Sequence, residues 1–98
     1  MFDVRWTDEA ESDIENILAY YLEHAGSRVA VAIYTRIKAH VGSLRMFPER
    51  CRPGRVPGTK EYVISRLPYI AVVVISAETV FILNIIHTAR KYPPDNPQ

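Results

Sequence analysis

The run YIAVVVIS at residues 69–76 is the sequence feature that most constrains how this chain can fold. It is apolar almost throughout and rich in β-branched side chains, a composition typical of a strand that is covered on both faces. Two more strand patterns flank it, KEYVISR at residues 60–66 and TVFILNIIH at residues 79–87. The short connections, at Leu67-Pro68 and Ala77-Glu78, make the three strands antiparallel neighbours. The run is therefore predicted to be the central strand of a sheet.

Two amphipathic helices are predicted ahead of this sheet, after a short strand. The strand is FDVRW, residues 2–6, in which apolar and polar residues alternate. Thr7 can cap the first helix, which Gly26 ends, and Ser27 can cap a second helix that Pro48 ends. Apolar residues recur at helical spacing along both helices and predict four core positions, Ile14, Leu18, Ile33 and Ile37.

The element order is therefore β-α-α-β-β-β. It predicts an α+β fold in which an N-terminal helical hairpin packs on one face of a mainly antiparallel twisted sheet. The opposite face also needs a cover, and a partner is one candidate for it. Residues 48–59, PERCRPGRVPGT, are predicted to be a loop. We expect a single domain at residues 1–93 and a loose Pro-rich tail at residues 94–98.

Several classes of protein are disfavoured by the composition. The longest apolar runs, residues 70–75 and 80–83, are far shorter than the roughly 18 residues of a membrane span, and MFDVRW is not a signal pattern. A cytoplasmic protein with no membrane partner is expected. A single cysteine and three scattered histidines give neither an internal disulfide nor metal-ligand spacing. Gly54 and Gly58 precede a strand, which argues against a phosphate-binding loop before a helix. We expect no metal and no cofactor.

Cys51 lies between Arg50 and Arg52, and two guanidinium groups are expected to lower the pKa of a thiol. No histidine or acid lies beside it in sequence. We therefore interpret Cys51 as incidental and not as a catalytic nucleophile.

The net charge of +1 conceals a strong segregation of charge along the chain. Residues 1–27 hold seven acidic residues against one basic residue, a charge of −6. Residues 28–66 hold nine basic residues against two acidic ones, a charge of +7. This asymmetry predicts two surfaces with different partners, although the acidic run also fits the solvated side of a helix.

Basic and aromatic residues gather before the first hairpin strand and after the last strand. An anionic partner, either a phosphate backbone or an acidic protein surface, suits such a cluster. Tyr62 and Tyr69 could stack on that partner or alternate into the core. The predicted target-binding residues are Arg55, Lys60, Arg66, His87, Arg90, Lys91 and Tyr92.

Three segments in this element order resemble the ParE/RelE superfamily. They are VRWTDEAESDIENILAYY, GRVPGTKEYVISRLPYIAVVVI and VFILNIIHTARKYP, and the likeness spans roughly residues 3–93. Its most specific parts are Trp6-Thr7 with Ala10 and Asp13, the Gly54-Arg55 and Gly58-Thr59 pairs, Pro68-Tyr69, and His87 followed by Arg90. These small toxins belong to type II toxin–antitoxin modules and are also described as plasmid stabilisation proteins.

The resemblance implies a growth-inhibiting toxin that is neutralised by a co-expressed antitoxin, of ParD-like ribbon-helix-helix type. The C-terminal segment of such an antitoxin folds onto the helical hairpin and the sheet, and operator DNA is reached only through the antitoxin. The intracellular target differs within the superfamily. RelE-like members cut messenger RNA in the ribosome, whereas ParE-like members bind and poison DNA gyrase.

The residues favour the gyrase-poisoning branch. RelE-type enzymes place cations on the central strands and at the end of the last one, where this chain has Ile70, Ala71 and Thr88. A nuclease without those cations loses stabilisation of the transition state. The alternative is a metal-independent, ribosome-dependent endoribonuclease with His87 and Arg90 as its catalytic residues. A third reading is an inactive relative that retains only antitoxin binding.

The chain also departs from the ParE pattern at two positions. Val73 replaces a common tyrosine on the central strand, and Asn84 replaces a common arginine on the last. Because Asn84 stands where an arginine is common, the gyrase-contacting residues of ParE proteins are not carried over to this chain residue by residue.

Overall fold

The computed structural model of the protein describes residues 1–89 and 92–93. Two short 3-10 turns, Ser43–Arg45 and Pro48–Arg50, lie between the helices and the second strand. The remaining elements are β1 (Asp3–Trp6), α1 (Asp8–His24), α2 (Ser27–Gly42), β2 (Arg52–Pro53), β3 (Lys60–Val63), β4 (Tyr69–Ser76) and β5 (Thr79–His87). The predicted α+β fold and element order are confirmed. The two-residue strand β2 was missed because it lies inside the proline-rich segment that was predicted to be a loop.

The five strands form one sheet in the order β1-β5-β4-β3-β2. The prediction that β4 is central is correct, and its pairings with β3 and β5 are antiparallel, as the short connections required. β1 instead pairs parallel with β5, with Asp3 opposite Thr79 and Trp6 opposite Ile82. The two ends of the chain are thereby joined in the same sheet.

Thr7 fixes where α1 begins. Its Oγ1 accepts a hydrogen bond from the Ala10 backbone N–H at 3.2 Å, which confirms the predicted N-cap, and donates to the Ile82 carbonyl at 2.8 Å. Gly26, with φ of 93°, then makes the turn between the helices. The prediction that Ser27 caps α2 was wrong, since the capping residue is Gly26 and it makes no side-chain hydrogen bond.

The second helix ends earlier than predicted, at Gly42 and not just before Pro48. The Ser43 hydroxyl donates a 2.6 Å hydrogen bond to the His40 carbonyl, and this bond occupies an acceptor at the helix end. The chain then tightens into the 3-10 turn at Ser43–Arg45, in which Leu44 remains fully buried.

The main core lies between the helical hairpin and one face of the sheet. Ile14 and Ile37 are fully buried there, as predicted, whereas Leu18 and Ile33 are only half-buried. The prediction that these two are core residues was therefore too strong, because each keeps part of its surface in contact with solvent. The buried set on this side is Ala10, Ile14, Ile37, Val41, Leu44, Tyr62, Ile64, Tyr69, Ala71, Val73, Val80, Ile82 and Ile85.

A smaller apolar cluster occupies the opposite face of the sheet. It consists of Ile70, Val72 and Ile86, with Leu83 and Tyr92 packed against it. Part of the second face is therefore covered by the chain's own C-terminal segment. Because side chains alternate along a strand, the apolar run of β4 supplies both clusters.

Candidate functional site

A cleft of about 330 Å³ opens between α1 and the part of the sheet where β4 begins and β5 ends. Its helical wall is a single face of α1, because the residues involved are three, four, seven and eight positions after Asp13. The complete lining is Asp13, Asn16, Ile17, Tyr20, Tyr21, Tyr69, Ile85 and His87. Four of these eight residues are aromatic.

Two tyrosines connect the helix and sheet walls of this aromatic cleft. The Tyr69 hydroxyl donates to the Tyr21 hydroxyl at 3.3 Å, and the Tyr69 ring meets the His87 ring edge-on at 5.3 Å. Burial, reinforced by the hydrogen bond to Tyr21, raises the pKa of Tyr69 well above the ordinary value for a phenol. Tyr69 is therefore a neutral hydroxyl donor near neutral pH and not a general base.

His87 is held at the mouth of the aromatic cleft by its own backbone. Its Nδ1 accepts a hydrogen bond from the Ala89 N–H at 3.0 Å, an arrangement that requires an unprotonated Nδ1 and leaves the proton of the neutral ring on Nε2. The Thr88 N–H bonds to the Pro68 carbonyl at 2.8 Å and fixes the turn that follows β5. His87 is thus presented to solvent in one defined orientation.

Asp13 anchors the same cleft to β5. Its Oδ2 accepts hydrogen bonds from the Ile85 backbone N–H at 2.9 Å and from the Asn84 side-chain amide at 3.1 Å. Asn84, which departs from the ParE pattern, therefore has a hydrogen-bond partner within the protein, Asp13 on α1. The contact between the two residues could not be predicted from the sequence, because they lie 71 positions apart and no local pattern pairs them.

The described lining of the aromatic cleft lacks the positive charge that metal-independent RNA cleavage requires. Such cleavage needs positive charge to stabilise the phosphorane, yet no residue that the structure shows lining the aromatic cleft is a lysine or an arginine. Ile70 and Ala71 are buried, Ile70 on the opposite face of the sheet, and Thr88 is exposed in the turn after β5. Among the described lining residues, His87 has a carboxylate, Asp13, and neither a lysine nor an arginine.

On the opposite face of the sheet, Glu61 organises the basic loop. This carboxylate is only 2% exposed, and it receives the Arg55 backbone N–H at 3.0 Å, the Arg55 Nε at 3.1 Å and an Arg52 guanidinium nitrogen at 3.4 Å. Burial alone would raise the pKa of Glu61, but the hydrogen bonds and charge of Arg55 and the bond from Arg52 outweigh it and hold the pKa below the ordinary value.

The same network positions Arg55 beside the C-terminal segment. The Arg55 guanidinium lies 5.9 Å from the centre of the Tyr92 ring, a distance compatible with a cation–π contact. Arg55 and Tyr92 are among the residues predicted to bind the target, whereas Glu61 was not predicted, because the sequence does not show that its carboxylate is buried against Arg55.

The predicted target-binding residues do not form one cluster. Arg55 and Tyr92 lie together on the second face of the sheet, whereas His87 lines the aromatic cleft on the helix side. Arg66 is exposed in the turn between β3 and β4 with φ of 66°, and Lys60 is exposed at the start of β3. Arg90, Lys91 and the predicted tail at residues 94–98 lie outside the described residues.

The environment of Cys51 differs from the sequence-based expectation. Its thiol is partly buried against the main core, and this burial raises the pKa, which a nearby positive charge from Lys60 only partly counteracts. The expected lowering by Arg50 and Arg52 was therefore wrong. A raised thiol pKa leaves Cys51 less nucleophilic at neutral pH.

The described part of the chain holds neither a metal-binding group nor a membrane-spanning helix. Within residues 1–89 and 92–93, no group of three or more His, Cys, Asp or Glu side chains is arranged to hold a metal ion. In the same described part of the chain, neither helix is long and apolar enough to cross a membrane.

Known proteins resemble this chain in its fold and over most of its length. A model of the family described as "ParE toxin of type II toxin-antitoxin system, parDE" matches residues 4–92. The chain belongs to the ParE toxin family. It is a toxin of the type II toxin–antitoxin class, and the resemblance read from the sequence is confirmed on the ParE side of the superfamily.

Individual relatives of this ParE-family toxin agree with that assignment. The protein named "Putative toxin Y4kP" from Sinorhizobium fredii (strain NBRC 101917 / NGR234) is 34% identical over 90 residues, covering 92% of each chain. A structure described as the chromosomal ParDE TA system from P. aeruginosa matches with a TM-score of 0.83 at 26% identity, over 89% of this chain and 96% of that one. A chain of the RelBE2 toxin–antitoxin complex from Mycobacterium tuberculosis, at 24% identity, a TM-score of 0.59 and coverage of 88% and 96%, shares the fold.

Proposed function

We propose that this ParE-family toxin inhibits growth by binding and poisoning DNA gyrase, without chemistry of its own. The observation that carries the proposal is the absence of lysine and arginine from the described lining of the aromatic cleft, together with the apolar burial of Ile70 and Ala71. Without cations to stabilise the phosphorane, RNA cleavage loses its largest electrostatic contribution. Binding to a large target needs no such groups.

The proposed target-binding surface is centred on Arg55 and Tyr92. The buried Glu61 carboxylate fixes the Arg55 guanidinium, so its charge is presented with little loss of side-chain freedom on binding. Lys60, Arg66, His87, Arg90 and Lys91 extend the proposed surface around the sheet. With gyrase as its target, the toxin is proposed to act in the cytoplasm.

Neutralisation by a cognate ParD-like antitoxin is the second part of the proposal. An apolar groove on α2, lined by Val29, Ala32, Ile33, Arg36 and Leu67, supports it, because Val29 remains 41% exposed. Contiguous exposed apolar surface of this kind is typical of a binding site for a partner helix. The solved relative from P. aeruginosa is described as a ParDE system. Any contact with operator DNA is proposed to pass through the antitoxin.

A gyrase assay tests the proposal directly. We expect the purified toxin to inhibit gyrase supercoiling of plasmid DNA or to trap cleaved DNA, and an equimolar cognate antitoxin to relieve the effect. The isolated antitoxin added alone is the matched control. Unchanged supercoiling at large molar excess of a folded, antitoxin-binding toxin would contradict gyrase poisoning.

The orientation of His87 beside Tyr69 is the one observation that favours a ribosome-dependent endoribonuclease. Mapping of messenger RNA ends after induction separates the two functions, because a RelE-type enzyme leaves cuts positioned by codon. If neither gyrase inhibition nor cleavage is found and antitoxin binding persists, the chain is an inactive relative that retains only that interaction.

A further inference from the structure

The aromatic cleft has a lining whose chemistry selects for positive charge. Three tyrosine rings line it, those of Tyr20, Tyr21 and Tyr69, and the faces of such rings carry negative potential. Asp13 adds a carboxylate, whereas no described lining residue is a lysine or an arginine. An anionic ligand would be repelled by this surface and a cation attracted.

One acceptor of the cleft is unused. Both hydrogen bonds to Asp13 are made to Oδ2, and within residues 1–89 and 92–93 its Oδ1 accepts none. Because Asp13 is held from behind by Asn84 and the Ile85 backbone, the carboxylate is fixed without being neutralised by a positive partner. A ligand donor can therefore meet an oriented, charged oxygen.

The two more buried tyrosines of the cleft are tied to each other. Tyr69 donates its proton to the Tyr21 hydroxyl, so both rings are held in place. Tyr20 is 55% exposed at the rim, with its ring edge-on to Tyr21 at 5.2 Å and stacked on His24 at 4.3 Å. The aromatic wall is thus ordered before any ligand arrives.

The α1 helix, which forms one wall of the aromatic cleft, also carries a negative charge. The α1 helix holds six acidic residues, Asp8, Glu9, Glu11, Asp13, Glu15 and Glu23, and neither lysine nor arginine. Among the described side chains, only Glu11 of these makes an ion pair, with Lys38 at 3.1 Å. Uncompensated acidic charge around a cleft concentrates cations at its mouth.

We propose that the aromatic cleft binds the guanidinium group of one arginine side chain presented by a protein partner. Arginine fits better than a simple ammonium because its planar group stacks on aromatic rings while its nitrogen donors meet a carboxylate. The cleft is on the helix side of the sheet, away from Arg55 and Tyr92, and the inference does not depend on the identity of the intracellular target.

The test uses a minimal probe. The full-length, isotope-labelled toxin is titrated with acetyl-Gly-Arg-Gly-amide, and backbone and tyrosine NMR shifts are followed. The matched probe replaces arginine by citrulline, which keeps the shape but carries no charge. We expect saturable shifts confined to the cleft residues, with a millimolar dissociation constant, and citrulline binding at least about tenfold weaker.

Two variants locate the site and one controls for charge. Asp13→Asn removes the carboxylate charge while retaining the acceptor oxygen for Ile85, and Tyr20→Leu removes an exposed ring at the rim. Asp13→Asn is expected to weaken arginine binding by about tenfold, and Tyr20→Leu by about three- to fivefold. Glu15→Gln removes one exposed charge from the same helix outside the cleft and should leave affinity within about twofold.

Thermal unfolding of each variant distinguishes a lost site from a lost fold. If Asp13→Asn unfolds, Tyr20→Leu still tests whether the cleft binds arginine, because Tyr20 is largely exposed and its replacement should not unfold the protein. Equal binding of the citrulline probe, an equal loss in Glu15→Gln, or shifts outside the cleft would each overturn the proposal. So would preferential binding of uridine monophosphate in the cleft, which would indicate a nucleotide site.

Discussion

Glu61 shows how one residue can hold a functional loop in place. Its carboxylate is buried against the second face of the sheet, yet both partners are exposed at the surface, with Arg52 and Arg55 side chains 57% and 41% accessible. Such a charge is tolerated because each oxygen accepts hydrogen bonds from cationic donors. The conformation of residues 52–55 therefore depends on the ionisation of a single side chain.

Replacing Glu61 by Gln should destabilise the protein by about 2 kcal/mol at neutral pH, the scale of a hydrogen bond to a charged group. The folded-state pKa is depressed, so the stabilisation is complete above the ordinary pKa of 4.5 and is lost as pH falls through the lower folded value. Urea unfolding near neutral pH and near pH 3 measures this.

The difference between wild type and Glu61→Gln should therefore shrink in acid. Glu49→Gln, at an exposed position of the neighbouring turn, is the matched control and should change stability by less than about 0.5 kcal/mol. A constant difference at both pH values would mean that ionisation of Glu61 is not what stabilises the loop.

At the scale of elements, the helical hairpin is stabilised unevenly along its apolar face. Ile14 and Ile37 are completely buried, whereas Leu18 and Ile33 keep solvent contact. The energetic cost of truncating an apolar side chain follows both the area withdrawn from water and the cavity that remains. Positions that look equally apolar in the sequence therefore contribute unequally to the free energy of unfolding.

Ile37→Ala is expected to lower the free energy of unfolding by about 2–5 kcal/mol, because it opens a cavity between α2 and the sheet. Leu18→Ala should cost less than half as much, since Leu18 is already partly hydrated. Chemical denaturation followed by circular dichroism measures both. Equal losses would show that Leu18 is as well packed as Ile37 in solution.

Regular elements were predictable from the sequence, and contacts between distant elements were not. β4 and β5 were predicted at their observed limits because apolar runs are bounded by turn residues. Leu83, however, is an extra residue opposite the Val72–Val73 step, and this bulge turns Ile82 and Ile85 to the same side of the sheet. Strict alternation, on which sequence reasoning relies, places those two residues on opposite faces.

For the candidate site, the residue types were predictable but their grouping was not. His87 was identified from the sequence, whereas its partners in the cleft, Tyr21 and Asp13, lie on α1 more than 60 positions away. Arg55 and His87 were predicted to share a surface, yet they lie on opposite faces of the sheet. Periodicity reports which residues are buried and carries no information about which strand a segment pairs with.

At the scale of the whole molecule, the toxin presents chemically different surfaces on its two sides. The helix side holds an acidic helix and the aromatic cleft, and the opposite side holds the Arg55–Glu61 network and Tyr92. The segregation of charge along the sequence is only partly a segregation in space, because Arg28, Arg36 and Lys38 of the basic segment lie on α2, on the same side as the acidic helix. The proposed antitoxin groove, on α2, and the proposed target-binding surface around Arg55 and Tyr92 lie on different sides of the sheet.

If the basic C-terminal residues touch the target, Arg90→Ala combined with Lys91→Ala should abolish growth inhibition while preserving folding and antitoxin binding. Arg28→Ala combined with Arg45→Ala removes the same charge at two exposed positions outside the proposed antitoxin groove and should remain toxic. Growth after induction, with and without the antitoxin, measures this. Retained toxicity of the Arg90/Lys91 variant would move the target contact to the basic loop around Arg55.

The parallel pairing of β1 with β5 gives synthesis of this toxin a definite order. Asp3 has its register partner at Thr79, so the first strand made on the ribosome has no place in the sheet until the last strand has emerged. Contacts of such long sequence separation form late and slowly. Until then the aromatic cleft lacks its β5 wall and Arg55 lacks Tyr92, so a nascent chain carries neither finished surface. The two proposed binding surfaces of this toxin are therefore completed only once β5 and Tyr92 have been synthesised.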